Sequence, residues 1–95
     1  MTKMVLLRFQ EGTSDKIWGY KTMSENTISF WGRSKGTLAF KVYRNWFEAD
    51  GVADSKRRKG YRDVSASQAD LVLPTDFDGQ LMLAALGQVK FPLAQ

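Results

Sequence analysis

The sequence predicts an α+β domain: a four-stranded antiparallel meander with one helix packed on its apolar face, plus a C-terminal helix. Three observations carry this. Up to Tyr43 the apolar residues recur mostly at every second position, in four short segments separated by turn-forming clusters. From Trp46 the spacing changes to that of a helix. After Pro74 a second helical pattern begins. Ninety-five residues, 43% hydrophobic and 13% aromatic, suffice for one domain with a true core.

The elements follow in order. Residues 4–10 set Val5, Leu7 and Phe9 against Leu6, Arg8 and Gln10, and Gly12, Thr13, Ser14 and Asp15 turn the chain. Residues 16–22 hold the β-formers Ile17, Trp18 and Tyr20. A turn over 24–26 leads to the third strand, Thr27–Arg33, with Ile28 and Phe30 inward. The connection over 34–36 offers Gly36 for a positive φ. Residues 37–43 place Leu38, Phe40 and Val42 on one face and Lys41 and Tyr43 on the other. Such a meander has one covered and one solvated face.

Asn45 can cap a helix over about 46–59, in which Trp46, Phe47, Ala49, Val52 and Ala53 form one stripe. Gly51 weakens it by roughly 1 kcal/mol relative to Ala, so packing must hold it. The cations 56–59 suit the end of the helix dipole, and Gly60 suits the left-handed stop. Thr75 and Asp78 have the spacing of a capping box for a helix over 76–87 carrying Phe77, Leu81, Met82, Ala85 and Leu86. Leu83 falls off that stripe, which implies broad burial or pairing with a second copy.

The absences narrow the function. The chain has no Cys and no His, so disulfides, thiolate nucleophiles, imidazole bases and the usual transition-metal ligands are all missing. Asp76 and Asp78 belong to a helix start. The expectation is a non-enzyme with no cofactor and no metal. The longest apolar run is too short to span a membrane, and the first residues lack the form of a signal peptide, so a cytoplasmic protein is the default.

Charge is unevenly spread. Residues 1–62 hold thirteen of the fourteen lysines and arginines and six of the ten acids, a balance of +7. Residues 63–95 hold Lys90 against four aspartates, a balance of −3. A basic body suits a polyanionic partner.

Trp31 and Arg33, two apart on a strand, point to the same side of the sheet, with Phe30 on the other. A flat ring beside a fixed cation suits stacking on a sugar or base and pairing with a phosphate. Gly32 between them permits close packing. Lys35, Lys41, Tyr43 and Arg44 are expected to flank the Trp, and Lys56, Arg57, Arg58, Lys59 and Arg62 form a run of cations that a phosphate backbone would neutralise. Tyr61 is a packing anchor, and Trp18, Tyr20 and Trp46 are expected in core or edge packing.

These residues carry a resemblance. Trp31-Gly32-Arg33, the strand-like 38–43, the helix after it and Lys59-Gly60-Tyr61 together resemble the WGR domain family, found in DNA-dependent poly(ADP-ribose) polymerases and in small bacterial proteins. The resemblance covers roughly residues 4–64. It divides the chain into a WGR-like domain, 1–64, and a C-terminal extension, 65–95, packed on or beside it. It implies that Trp31 packs on a sugar at a DNA end and that Arg33 contacts a phosphate or a partner domain. The function expected is nucleic-acid binding, to DNA and in particular its ends, through Trp31, Arg33, Lys35, Lys41, Tyr43, Arg44, Lys56, Arg57 and Lys59. The competing expectation is a protein-interaction module using the same Trp-Arg face. The segment 35–43 loosely matches an RNA-recognition signature, but three strands before any helix argue against that fold.

Overall fold

The strands β1 (Met4–Glu11), β2 (Ser14–Thr22), β3 (Thr27–Arg33) and β4 (Ala39–Tyr43) form the expected antiparallel meander in the computed structural model, which describes residues 3–23 and 26–90. Residues 24 and 25 of the expected turn lie outside the described residues. A two-residue strand, β5 (Arg62–Asp63), adds to the free side of β1 and gives the order β4-β3-β2-β1-β5. Helix α1 (Trp46–Arg58), a 3-10 turn (Ala66–Leu71) and helix α2 (Phe77–Lys90) complete the chain.

Register decides which residues share a face. Leu7 lies opposite Trp18, Trp18 opposite Trp31, and Trp31 opposite Ala39. Helix α1 covers this face. Its buried Ala49 and Ala53 let it lie close over Leu7, Trp18 and Tyr20. The other face presents Leu6, Ile17, Ile28, Phe30 and Leu38 to Ala69, Val72, Leu73, Phe77 and Leu81.

The meander is therefore not solvated on one side, as expected, but covered on both. The helix after β4 takes the Trp18–Tyr20 face rather than the Ile28–Phe30 face. The physical reason is size. The inner stripe of α1 is alanine and fits over large rings, whereas the Phe30 face is filled by the bulkier residues after 68. The Phe30 and Phe77 rings meet edge to face, 4.8 Å apart.

Gly19 is required by this second core. It lies opposite Phe30, and a Cβ there would stand 2.5 Å from the Val5 carbonyl oxygen and 2.7 Å from the Phe30 ring.

Several local devices fix the helices. The Asn45 side chain accepts the Glu48 N–H at 3.1 Å, as a cap should. At the other end the Lys59 N–H donates to the Lys56 carbonyl, and Gly60 adopts φ 107°. The Tyr20 hydroxyl donates to Asp50 at 2.8 Å, tying the sheet to α1. Gln80 on α2 accepts the Leu38 N–H at 3.2 Å and donates to Asp76 at 2.8 Å. Two expected stripe members of α1 face water instead. Phe47 is 62% exposed, and Trp46 is half-exposed with the Lys3 ammonium 5.2 Å from its ring centre. Both sit in the first turn of α1.

The buried phenols predict an alkaline transition. Burial, then the Asp50 hydrogen bond, pushes the Tyr20 phenol far above its ordinary value, and burial raises Tyr61. In the unfolded chain a tyrosine ionises near pH 10, at roughly its reference value. The folded state holds these protons longer. The stability they contribute is thus complete below about pH 10 and is lost as pH rises above it. Tyrosinate absorbance is expected to rise together with loss of the far-ultraviolet circular dichroism signal. Ionisation of all three tyrosines with that signal intact would contradict the placement of Tyr20.

Candidate functional site

Trp31 is 38% exposed and stands on the same sheet face as Trp18, the face that α1 covers. Its neighbour across β2 is the buried Trp18, and its neighbour across β4 is the exposed Ala39. Gly32 follows with φ 153°, and a Cβ there would lie 3.0 Å from the Thr37 carbonyl oxygen, so this position needs glycine.

One register step further along, Arg33 lies directly opposite Lys16, and Lys16 directly opposite Phe9. The row continues off the sheet. The Lys16 ammonium sits 5.3 Å from the Phe9 ring centre, and the Phe9 and Tyr61 rings are 5.3 Å apart. The Lys56 ammonium sits 5.5 Å from the Tyr61 ring centre. Two cations, two rings and a third cation thus follow one another from Arg33 to the end of α1. Such contacts stabilise an ammonium without neutralising it.

The electrostatics are uncompensated. Like charges directly opposite on adjacent strands destabilise a sheet. Burial first, then the nearby charges of Lys59 and Lys16, lowers the Lys56 pKa. Among the described residues, no carboxylate lies within ion-pair distance of Lys16, Arg33, Lys41, Lys56 or Lys59.

Other cations are spoken for. Arg57 donates to Asp63 at 2.8 and 3.1 Å and to Asp54 at 2.9 Å. These bonds raise its pKa and hold Asp63 below the usual carboxylate range. Those carboxylates already neutralise it, and it clamps α1 to β5. Arg8 is likewise engaged by Asp15, at 2.9 and 2.8 Å, which lowers the Asp15 pKa.

Lys35 is engaged too. Its ammonium donates to the Asp70 carbonyl at 3.0 Å and its N–H to the Val72 carbonyl at 2.7 Å, so it fastens the turn to the opposite layer. These bonds hold it at φ 66°, a left-handed conformation expected of Gly36.

Lys41 remains close to Trp31, since it pairs with Ser29, two residues before the Trp. Its ammonium lies 4.9 Å from the Tyr43 ring centre. Tyr43 pairs with Thr27, roughly 13 Å along the strand from Trp31 at about 3.3 Å per residue. Tyr43 is half-buried in the α1 core, and Arg44 lies further still. The structure does not bring these two to the Trp. Tyr61 is half-buried against Phe9, a packing anchor as expected.

Lys16 was missed from sequence. The signal was there in the two-residue offset from Trp18, which puts both on one face, but its pairing with Arg33 needs the register. A cleft of about 650 Å³ opens beside β5, with Phe9, Lys59 and Arg62 on its walls. It also holds Glu11 and Asp63, so it is not a uniformly positive surface.

Comparison with protein-family models and with curated proteins gives no significant match. Among solved structures, the chain is similar to a crystal structure of a Bacteroides fragilis protein from a structural genomics programme, with TM-score 0.64 and 18% identity. The alignment covers 76% of this chain and 22% of that one. The likeness bears on fold alone. Among the described residues no helix is long and apolar enough to cross a membrane.

Proposed function

We propose that this chain is a non-enzymatic nucleic-acid-binding module of WGR type that holds duplex DNA on the Trp31 face. The supporting observation is an exposed indole with the uncompensated pair Arg33 and Lys16 on the adjacent row, continued past Phe9 and Tyr61 to Lys56 and its neighbouring charge Lys59. Phosphates would occupy the row and replace repulsion with attraction, while the Trp31 ring would stack on a sugar or base. Lys41 extends the footprint along the strand. Recognition would rest on charge and shape, since phosphate contacts carry no sequence information. End preference is carried only by the family resemblance.

Trp31→Ala is expected to weaken binding to labelled duplex by about 1–3 kcal/mol, the range for a lost stacking platform, with the fold intact. Lys16→Gln or Lys56→Gln should each reduce the salt slope by about one counterion, whereas Arg57→Gln should leave it unchanged. Affinity insensitive to salt, and to both lysine substitutions, would instead favour a protein partner for this face. A circular competitor of equal affinity would remove the end preference alone.

A further inference from the structure

The sheet is open at one end of its β1 edge. In an antiparallel ladder alternate residues direct their N–H and C=O groups to the same side. The Leu6 carbonyl accepts the Val64 N–H, and Arg8 lies opposite Arg62 in β5. Gln10, two residues on, therefore aims its own N–H and C=O to that side, but β5 does not reach it. Gly60 stands instead against the Phe9 ring, where a Cβ would come within 3.4 Å. Among the described residues no backbone hydrogen bond fills the place beside Gln10. The cleft of about 650 Å³ opens there, with Phe9 and Lys59 on the α1 side of the sheet and Gln68 and Leu71 on the other. An open edge is a template for a further strand.

The surroundings select the occupant. β5 already holds the line beside Arg8, so an added strand must end where β5 begins. Only a chain terminus can do so, and charge decides which. Arg8 is neutralised by Asp15, and Asp63 by Arg57. Lys59, Arg62 and Glu11 remain on the walls, and among the described residues no carboxylate lies within ion-pair distance of Arg62. Arg62 stands at the β5 end of the gap and Glu11 beyond its other end. A terminal carboxylate suits Arg62, which would repel an ammonium. A strand with its C-terminus toward Arg62 runs antiparallel to β1, as β5 does. Its last side chain shares the face of Gln10, where Leu71 is 65% exposed and invites an apolar group.

We infer that this cleft captures the C-terminus of an extended peptide, paired with β1 at Gln10, its carboxylate on Arg62 and an apolar last side chain on Leu71. The site is independent of the nucleic-acid reading, because Gln10 and Arg62 lie across the sheet from Trp31.

The test is a titration of the isotope-labelled full chain with an N-acetylated tetrapeptide, three serines and a final leucine, followed by amide resonances. A saturable shift of the Gln10 amide is expected. The same peptide with its C-terminus amidated should bind roughly tenfold more weakly, the scale of one lost charge-assisted hydrogen bond. Arg62→Gln should weaken the free-acid peptide by a similar factor with unchanged circular dichroism. Equal affinity for the acid and the amide overturns the inference. So does the absence of a saturable Gln10 shift, and so does an Arg62→Gln variant that folds and binds as the parent does. Inorganic phosphate that reproduces the full Gln10 shift would make this a simple anion site and overturns the strand pairing.

Discussion

Ending the chain after Val64 is expected to abolish cooperative folding, although residues 1–64 contain β1 to β5, α1 and every proposed DNA contact. The removed segment carries Val72, Leu73, Phe77 and Leu81, all nearly fully buried against Leu6, Ile17, Ile28 and Phe30. Burying each such side chain contributes about 1.5–3 kcal/mol. Four of them sum to roughly the whole net stability of a small domain, about 5–15 kcal/mol. The fragment would also expose a broad apolar sheet face, which favours aggregation. Loss of a sigmoidal thermal transition checks this. A fragment 1–64 that melts cooperatively near the full-length temperature would show that the α1 side alone suffices.

Gly19→Ala should be the most damaging single methyl in the chain. The added carbon would meet a backbone oxygen at 2.5 Å, which cannot swing aside, and the Phe30 ring, which is itself wedged against Phe77. Overpacking costs about 1–3 kcal/mol, occasionally more, and the backbone clash puts this case at the upper end. The melting temperature should fall by roughly 10–20 °C at about 4–8 °C per kcal/mol for a chain of this size. Gly51→Ala is the control. It lies in α1 with nothing within 4 Å and should stabilise by about 0.4–1 kcal/mol. Equal melting temperatures for the two variants would contradict the close approach of β2 to Phe30.

The four strands of the meander, α1 with its Asn45 cap, and the stop at Gly60 were legible because each is set by local spacing and by one residue's conformational preference. The allocation of faces was not. Both faces of β1 and β2 are apolar, and periodicity says only that alternate residues part company, not which layer each meets. The side chains of α1 and of the segment after 65 settle that by volume. The site divides in the same way. Trp31, Gly32 and Arg33 are adjacent in sequence and could be read directly. Lys16 joins them only through strand register, and Arg57 leaves them because the turn at 59–61 returns Asp63 beside it. The left-handed Lys35 was unreadable because carbonyls of a segment thirty-five residues away impose it.

Neighbours in sequence here supply different interiors: Leu6 one and Leu7 the other, Ile17 one and Trp18 the other. Gaining or losing a single residue within β1 or β2 would exchange the two sets and spoil both interiors at once. A change of length is therefore tolerable only in the connections, and the frame that aligns Lys16 with Arg33 is held from both sides by two interiors that share no residue.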